Sequence, residues 1–423
     1  MPSVRAQRRI FFASIGSLGD LHPVIGMAAE LKRRGHIVRI ASTPFYRERV
    51  EALGIEFRPL RPDWDPTDEA LIAQCEDIRR GTEILLRQLI LPHLRDTYND
   101  LLTAAEGVDL MIASELVYAA PLVAEKLGLN WASAILSPCT FFSVHDPPVA
   151  PNAPELKYLR GTGPLVHRAL LRIGCAAIDH WWRPIRELRK AEGLSPGRNP
   201  LLHDKFSPEL VLALFSQALA EPQPDWPANT VQPGFVFYDK LSQAETLSPD
   251  LQSFLAGGEP PILFTQGSTA VHHPGSFYET SVAAARRIGR RALLIGTENG
   301  RNASGSDVFA ARYAPYSQVF PQAAAIVHQG GVGTTGAAMR SGRPMLIVPY
   351  GWDQPDQAAR ITRMGAGLTL KRKRYTTERV ARALERLVDE RPFEKQAAAL
   401  REKIQAEDGT GLACDAIEEV LER

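Results

Sequence analysis

The chain contains few cysteines, and their positions suggest neither a metal site nor a disulfide framework. Four occur among the 423 residues: Cys75, Cys139, Cys175 and Cys414. None of them forms a CxxC pair, the spacing expected of a zinc site or a redox motif. Scattered free thiols are typical of a reducing compartment, so we predict a cytoplasmic protein.

The chain also lacks an excess of charge of either sign, and it lacks long apolar runs. Its formal net charge is +1, which gives no reason to expect nucleic acid or an anionic membrane as a partner. No apolar run approaches the ~20 residues that a membrane span needs, so we expect no stable membrane insertion. The apolar residues 10–13 are soon followed by Gly16 and Gly19, which predicts a first strand and not a signal peptide.

The length and the hydrophobic pattern predict two domains. Residues 9–137 alternate short apolar strands with amphipathic helices, and a second series of the same kind begins at Pro261. Repeated strand–helix units form a parallel sheet that is covered by helices on both faces. We therefore predict an α/β protein with two doubly wound, Rossmann-like domains. Ligands of such sheets bind beyond the carboxyl ends of the strands, so the expected site is the cleft in which the domains face each other.

A proline-rich segment separates the two series. It contains Pro222, Pro224, Pro227 and Pro233. Prolines at this density are typical of a linker. The predicted boundaries are 1–220 for the N-terminal domain, 221–235 for the linker and 236–405 for the C-terminal domain.

The segment from Ala323 to Gln357 carries the most informative pattern. A buried strand ends at His328, a glycine-rich turn follows, and a helix is predicted to open at Thr334. Glycines let the backbone approach a ligand closely, and the free N–H groups at a helix start favour an anion. The sequence therefore predicts a phosphate or diphosphate site. After the next strand come Asp353 and Gln354, whose side chains could bind sugar hydroxyls.

The same segment also matches a weaker motif. Gly331, Gly333 and Gly336 have the spacing of a dinucleotide-binding turn, and Asp353 follows about 20 residues later. An NAD-dependent oxidoreductase is therefore one alternative. The acid of that motif belongs at the tip of the second strand, whereas here four residues from Pro349 intervene. A non-catalytic module that binds a nucleotide sugar is the other alternative.

The pattern from His328 to Thr334 reads His-x-Gly-Gly-x-Gly-Thr, and an Asp-Gln pair follows at Asp353. It resembles the donor signature of family 1, UDP-glycosyltransferase-like nucleotide-sugar glycosyltransferases, in the form of the bacterial macrolide, glycopeptide and sterol enzymes. The resemblance implies the GT-B architecture and a final helix, residues 406–423, that packs back on the N-terminal domain. It also implies a site that needs neither a metal nor a cofactor.

The activity implied by the resemblance is inverting glycosyl transfer. A hexose, glucose first, would move from a UDP-sugar to a hydroxyl of a small lipophilic or phenolic acceptor such as a flavonoid. Transfer of a dTDP-deoxysugar, for example rhamnose, is the nearest alternative. The partners would then be a nucleotide sugar and a small molecule, with the protein a monomer or a weak dimer. The donor-binding residues would be Ser268, Val319, His328, Gly330, Gly331, Gly333, Thr334, Asp353 and Gln354.

Two neighbouring residues compete for the role of catalytic base. By resemblance, the base lies three residues before Pro23, and that position is Asp20. An aspartate has an unperturbed pKa of ~3.9 and must be raised by burial, whereas a histidine at ~6.5 suits a base at neutral pH. His22 is therefore the rival. Either side chain could also cap the helix that is predicted from Pro23.

The acceptor is expected to meet the irregular part of the N-terminal domain. A flat lipophilic molecule needs apolar walls, and aromatic side chains provide them. The candidates are Phe141, Phe142, His145 and Trp182. The alternative for each aromatic residue is a place in the core.

Overall fold

The computed structural model describes residues 6–238, 247–267, 276–297 and 306–423, without the side chain of Lys157. Two parallel sheets organise these residues. The first has seven strands in the order β3-β2-β1-β4-β5-β6-β7, namely β1 Arg9–Ala13, β2 Ile37–Ser42, β3 Glu56–Pro59, β4 Leu110–Ser114, β5 Trp131–Ile135, β6 Leu210–Ala213 and β7 Thr230–Val231. The second has six strands in the order β10-β9-β8-β11-β12-β13, namely β8 Ile262–Thr265, β9 Ala292–Ile295, β10 Val308–Ala311, β11 Ala325–His328, β12 Met345–Ile347 and β13 Gly367–Thr369.

Helices cover both faces of each sheet. They are α1 Leu18–Arg33, α2 Arg47–Glu51, α3 Glu69–Cys75, α4 Gly81–Ile84, α5 Leu94–Ala104, α6 Ala120–Leu127, α7 Pro164–Ile178, α8 Arg183–Ala191, α9 Pro249–Ala256, α10 Phe277–Arg287, α11 Tyr316–Val319, α12 Val332–Ser341, α13 Gln354–Arg363, α14 Thr377–Asp389, α15 Arg391–Gln405 and α16 Gly409–Glu422. Within the described ranges, none of these helices is both long and apolar enough to cross a membrane.

The central strands explain why the sheets are parallel and internal. Every residue of β4, β5, β8 and β11 is buried. Such strands need helices on both faces, and the helices that connect parallel strands supply that cover. The prediction of two Rossmann-like domains is therefore confirmed. All four cysteines are free thiols.

The first helix begins earlier than its sequence suggested. It was predicted to start at Pro23, but α1 starts at Leu18. Ser17 is its N-cap: the Ser17 side chain accepts a hydrogen bond from the Gly19 N–H, and Asp20 accepts one from the Ser17 N–H. This reciprocal cap stabilises the extra turn. Pro23 lies inside the helix, where it removes one backbone hydrogen bond.

Two edge strands fell outside the sequence prediction. The two-residue β7 pairs with β6 inside the segment that was predicted as a linker. The four residues of β10, which pair with β9, are only partly buried. Short or half-exposed strands have weak hydrophobic patterns, so periodicity does not reveal them.

The last helix of the chain lies on the first domain. Arg34, just after α1, pairs with Asp415 at 2.6 Å and with Glu418 at 2.8 Å. Glu418 also lies 3.0 Å from Nε2 of His36. The apolar side of α16, which includes Ile417, belongs to the same buried cluster as the inner face of α1. Residues 409–422 therefore complete the N-terminal domain.

Candidate functional site

His328 ends β11 as a fully buried side chain with one unused hydrogen-bond donor. Its Nδ1 atom accepts a hydrogen bond from the Gly330 N–H at 3.1 Å. The proton of the neutral ring must therefore be on Nε2. Nε2 is buried and has no partner among the described residues. Burial lowers the pKa of His328 to about 3, so at neutral pH the ring is an uncharged donor.

The glycine turn after His328 leads directly into α12. Gly330 has a φ of +98°, and a Cβ there would lie 2.7 Å from Cγ2 of Ile347. Gly331 is the N-cap of α12 and provides no side-chain cap, so the first N–H groups of the helix lack an intrahelical partner. A Cβ at Gly333 would meet nothing within 4 Å among the described residues. The predicted glycine turn therefore leaves the helix start accessible, with helix entry at Val332, two residues before Thr334.

Two threonines line the first turn of α12. Thr334 is 9% exposed and Thr335 is fully buried. The Thr335 N–H donates to the Gly331 carbonyl at 2.9 Å, whereas its Oγ1 has no hydrogen-bond partner in the described part of the chain. Together with Nε2 of His328, the helix start offers several donors to an anion.

The oxygen and the nitrogen of the Gln354 side-chain amide have different surroundings. Its Oε1 atom accepts a hydrogen bond from the Tyr350 N–H at 2.8 Å and a longer one from the Gly351 N–H. This pairing holds the turn between β12 and α13, in which Trp352 has a φ of +55°. The amide oxygen is therefore committed to the turn, and the amide N–H groups are the part that could bind a sugar hydroxyl.

Asp353 is partly exposed at the start of α13. Its Oδ2 atom lies 3.5 Å from Nε2 of Gln357. Its pKa is raised to about 7, first by burial and then by the negative charges of Glu115 and Asp20. Both of those residues belong to the first domain, so its negative charges act on a carboxyl group of the second domain across the cleft.

Asp20 combines a capping role with a raised pKa. Its Oδ2 atom accepts hydrogen bonds from the Ser17 N–H at 2.7 Å and from the Ser17 hydroxyl at 3.2 Å. It thus caps its own helix at the third position. Burial raises its pKa to about 6, against the opposing effect of these hydrogen bonds. A carboxylate with this pKa is a base that is ionised at neutral pH.

His22 lies further along α1 and does not cap the helix. Its Nε2 atom is 3.4 Å from Nη1 of Arg49, and its ring centroid is 5.3 Å from that of Tyr238. The expectation that it could cap a helix beginning at Pro23 was wrong, because that helix begins at Leu18.

Glu115 and Lys205 form a second polar group near Asp20 that the sequence did not single out as a pair. Oε2 of Glu115 is buried without a partner among the described residues, and burial raises the pKa of the carboxyl group. Burial also lowers the pKa of Lys205 to about 8. Glu115 directly follows β4, a position that marks it as a cleft residue. Lys205 gave no sequence signal.

The remaining predicted site residues are dispersed. Val319 is fully buried in α11. Ser268 lies outside the described residues. The structure therefore brings together His328, the glycine turn, Asp353 and Gln354, and it places Asp20 where its charge raises the pKa of Asp353.

The predicted acceptor residues separate into buried and accessible ones. Trp182 is fully buried against Tyr118, and Phe141 is stacked on Trp226 with a centroid distance of 4.1 Å. Both have the surroundings of core residues. Phe142 is partly exposed and His145 exposed. The role of all four in acceptor binding stays a prediction, which the placement favours only for the last two.

Comparison with known proteins identifies the family. A model of the glycosyltransferase family 28 N-terminal domain matches residues 10–145. A model of the erythromycin biosynthesis protein CIII-like C-terminal domain matches residues 296–411. O-mycaminosyltylonolide 6-deoxyallosyltransferase of Streptomyces fradiae is 33% identical over 98% of this chain and 98% of that protein. The chain belongs to the GT-B glycosyltransferases of the macrolide and glycopeptide type.

Two further comparisons with this glycosyltransferase are informative. Vancomycin aglycone glucosyltransferase of Amycolatopsis orientalis is 29% identical over 85% of each chain. The crystal structure of glycosyltransferase VinC in complex with dTDP has a TM-score of 0.68 at 22% identity and covers 98% of this chain and 100% of that one. The structural likeness shows the shared fold. The oxidoreductase alternative is wrong, because the whole length matches glycosyltransferases.

Gln354→Ala is expected to weaken use of the sugar donor. The variant leaves the sugar hydroxyl without its amide partner, so kcat/KM should fall by an amount that corresponds to ~1–3 kcal/mol. Gln354→Glu is the matched variant, because it keeps an oxygen for the Tyr350 N–H and removes the amide donor. Calorimetry with free nucleoside diphosphate should show unchanged affinity in both variants. Equal losses for the nucleotide and the nucleotide sugar would assign Gln354 to the scaffold alone.

Proposed function

We propose that this glycosyltransferase moves a hexose from a nucleoside diphosphate sugar to a hydroxyl of a small lipophilic natural product, with inversion at the anomeric carbon. The observation that carries the proposal is the buried, uncharged donor at Nε2 of His328 beside the open start of α12. Donors fixed where negative charge develops lower the barrier without reorganisation. A diphosphate leaving group is an anion of this kind.

The acceptor side of the mechanism uses Asp20. Its carboxylate takes the proton of the acceptor hydroxyl as the oxygen attacks the anomeric carbon. The bond from that carbon to the diphosphate breaks on the opposite face, and the nucleoside diphosphate leaves. The mechanism requires no metal, because the donors of the helix start neutralise the leaving charge.

Two kinds of donor fit the proposal. A glucosyl donor is supported by the vancomycin aglycone glucosyltransferase, and a deoxyhexosyl donor by the 6-deoxyallosyltransferase and by the dTDP bound to VinC. The acceptors in the names of the two relatives, an O-mycaminosyltylonolide and the vancomycin aglycone, support a natural-product acceptor.

The direct test is mass spectrometry of an acceptor panel of macrolides, glycopeptide aglycones, sterols and flavonoids, incubated with UDP-glucose or dTDP-rhamnose in the presence of a chelator. We expect a product heavier by one hexosyl or deoxyhexosyl group, with inverted anomeric configuration by NMR. Nucleotide binding without any product across the panel, with or without added divalent metal, would instead support a non-catalytic nucleotide-sugar binder. Product formation only with added metal would overturn the metal-independent mechanism.

A further inference from the structure

The helix that begins at the sugar-binding pair has an unusual buried face. Asp356, Gln357 and Arg360 follow Asp353 in α13 by three, four and seven residues, so the four side chains share one side of the helix. The exposed fractions of Asp356, Gln357 and Arg360 are 0%, 0% and 2%. A buried polar face costs free energy unless its groups are paired, so the partners show what this face is for.

The partners of Asp356 and Arg360 come from the first domain. Nη1 of Arg360 donates to Oδ2 of Asp146 at 2.5 Å, and its Nε donates to Oδ2 of Asp356 at 2.6 Å. The other oxygen of Asp356 accepts a hydrogen bond from the Val149 N–H at 2.9 Å. Asp146 pairs in addition with Arg160. Two charged residues of α13 are thus fixed to one loop of the N-terminal domain.

Gln357 provides an independent connection. Its Nε2 atom donates to the Ser137 hydroxyl at 3.0 Å, in a buried contact between the domains. Ser137 lies two residues after the end of β5. The same Nε2 atom lies 3.5 Å from Oδ2 of Asp353. The Gln357 side chain therefore connects Ser137, near the end of β5, with Asp353, which is predicted to bind the sugar.

The loop that receives these contacts is itself held in place. The Ser143 hydroxyl donates to Oδ1 of Asp225 at 2.7 Å, and the Val144 N–H donates to its Oδ2 at 2.8 Å. Asp225 lies between β6 and β7, in the segment that was predicted as a linker. Residues 143–149 therefore have one end fixed to the segment between β6 and β7 and the other fixed to α13.

We infer that Asp146, Asp356 and Arg360 are positioning residues that align the sugar-binding start of α13 with the acceptor side of the cleft. The inference rests on the proposed function. Hydrogen bonds and ion pairs are directional, so a polar contact fixes the register between two domains more narrowly than an apolar one. The network sets where the anomeric carbon stands relative to the acceptor hydroxyl, and it does not bind the nucleotide.

Loss of this alignment has a chemical signature. When the acceptor hydroxyl is displaced, water can take its place at the anomeric carbon. The carbon–diphosphate bond then breaks, a carbon–oxygen bond to water forms, and the water proton passes to the base. The products are free sugar and nucleoside diphosphate, so nucleotide release exceeds glycoside formation.

Asp146→Asn is the first test, because Asp146 is partly exposed and asparagine keeps its shape. We expect glycoside formation to fall by ~10- to 10²-fold, the cost of a small misplacement. The ratio of nucleotide released to glycoside formed should rise above that of the wild type. The affinity for free UDP or dTDP, measured by calorimetry, should stay unchanged. Arg360→Gln should raise this ratio, and Arg360→Lys should raise it less because lysine keeps the positive charge.

Arg363→Gln is the matched control, because Arg363 is an exposed arginine of the same helix. Ser137→Ala is a second, milder variant that removes the hydroxyl contacted by Gln357 and, at 3.3 Å, by the Cys139 thiol. The inference is overturned if folded Asp146→Asn and Ser137→Ala keep the wild-type ratio, or if Arg363→Gln changes it equally. Absence of glycoside with the wild-type enzyme would contradict the proposed function. A wild-type ratio of nucleotide released to glycoside formed in the variants would contradict this inference alone.

Discussion

Asp20→Asn is expected to lower turnover by about 10²- to 10⁴-fold while donor affinity holds, because the amide cannot accept the proton of the acceptor hydroxyl. The variant should fold, because the asparagine side-chain oxygen can still accept the hydrogen bond that the Ser17 N–H donates to Asp20. The loss should be smaller with acidic phenols than with aliphatic alcohols, because phenols ionise more readily. Turnover with both acceptor classes, together with a thermal melt, measures this. An equal loss for both classes would argue against a base.

The pH dependence gives a separate check on the same residue. Burial raises the pKa of Asp20 to about 6, and a base acts only when ionised. kcat/KM should therefore fall as the pH drops through about 6. His22→Gln should keep both this acid limb and most of the activity. If the limb disappears in His22→Gln, the role of base belongs to His22.

The raised pKa of Asp20 also affects stability. The folded state holds the proton more tightly than the unfolded chain, whose aspartate has a pKa near 3.8. Ionisation at neutral pH thus opposes folding, and this cost decreases as the pH falls from about 6 towards 3.8. Asp20→Asn removes the charge, so its melting temperature at pH 7 should not fall. This helps to separate a loss of chemistry from a loss of fold.

His328→Ala is the second variant with a large expected effect: turnover should fall on the order of 10²-fold or more. The neutral ring is placed to donate from Nε2, and nothing else in the described part of the chain uses that atom. Because the pKa of about 3 lies far below neutrality, the contribution of His328 should not change between pH 6 and 8. Steady-state kinetics over that range tests both statements.

His328→Gln is the informative companion, because it restores an N–H donor of similar reach and should recover part of the activity. Near-normal turnover in a folded His328→Ala would contradict the diphosphate assignment. The fold itself should survive both changes, since the side chain ends its strand, β11, and among the described residues only the Gly330 N–H depends on it.

The sequence was most informative where a local residue pattern is enough to define the structure, as in the buried strands and the glycine turn. The apolar runs at Ile262–Thr265, Ala292–Ile295 and Ala325–His328 are strands with those bounds, because a fully buried parallel strand has an apolar residue at nearly every position. The glycine turn after His328 was also predictable, since only glycine suits the φ of +98° at Gly330.

Other features depend on tertiary contacts that a pattern does not contain. Pro23 suggested a helix start, but the reciprocal cap of Ser17 and Asp20 extends α1 by a turn. Phe141 and Trp182 are aromatic residues of an irregular segment, and composition alone does not distinguish a pocket wall from a core residue.

The polar face of α13 shows the same limit more sharply. Asp356, Gln357 and Arg360 look like the solvated side of an ordinary surface helix, because their types are those of exposed residues. Only the position of the other domain shows that they are buried. Residues at an interface between domains carry no pattern of their own in the sequence.

The return of α16 to the first domain has a consequence for anyone who recombines enzymes of this type. The natural place to exchange donor halves is the segment around Pro222–Gly234, but a cut there leaves Gly409–Glu422 with the wrong partner. Arg34, His36 and the apolar side of α1 would then face a helix from another parent. A chimera should therefore exchange three pieces, with the last helix taken from the parent that supplies the acceptor half.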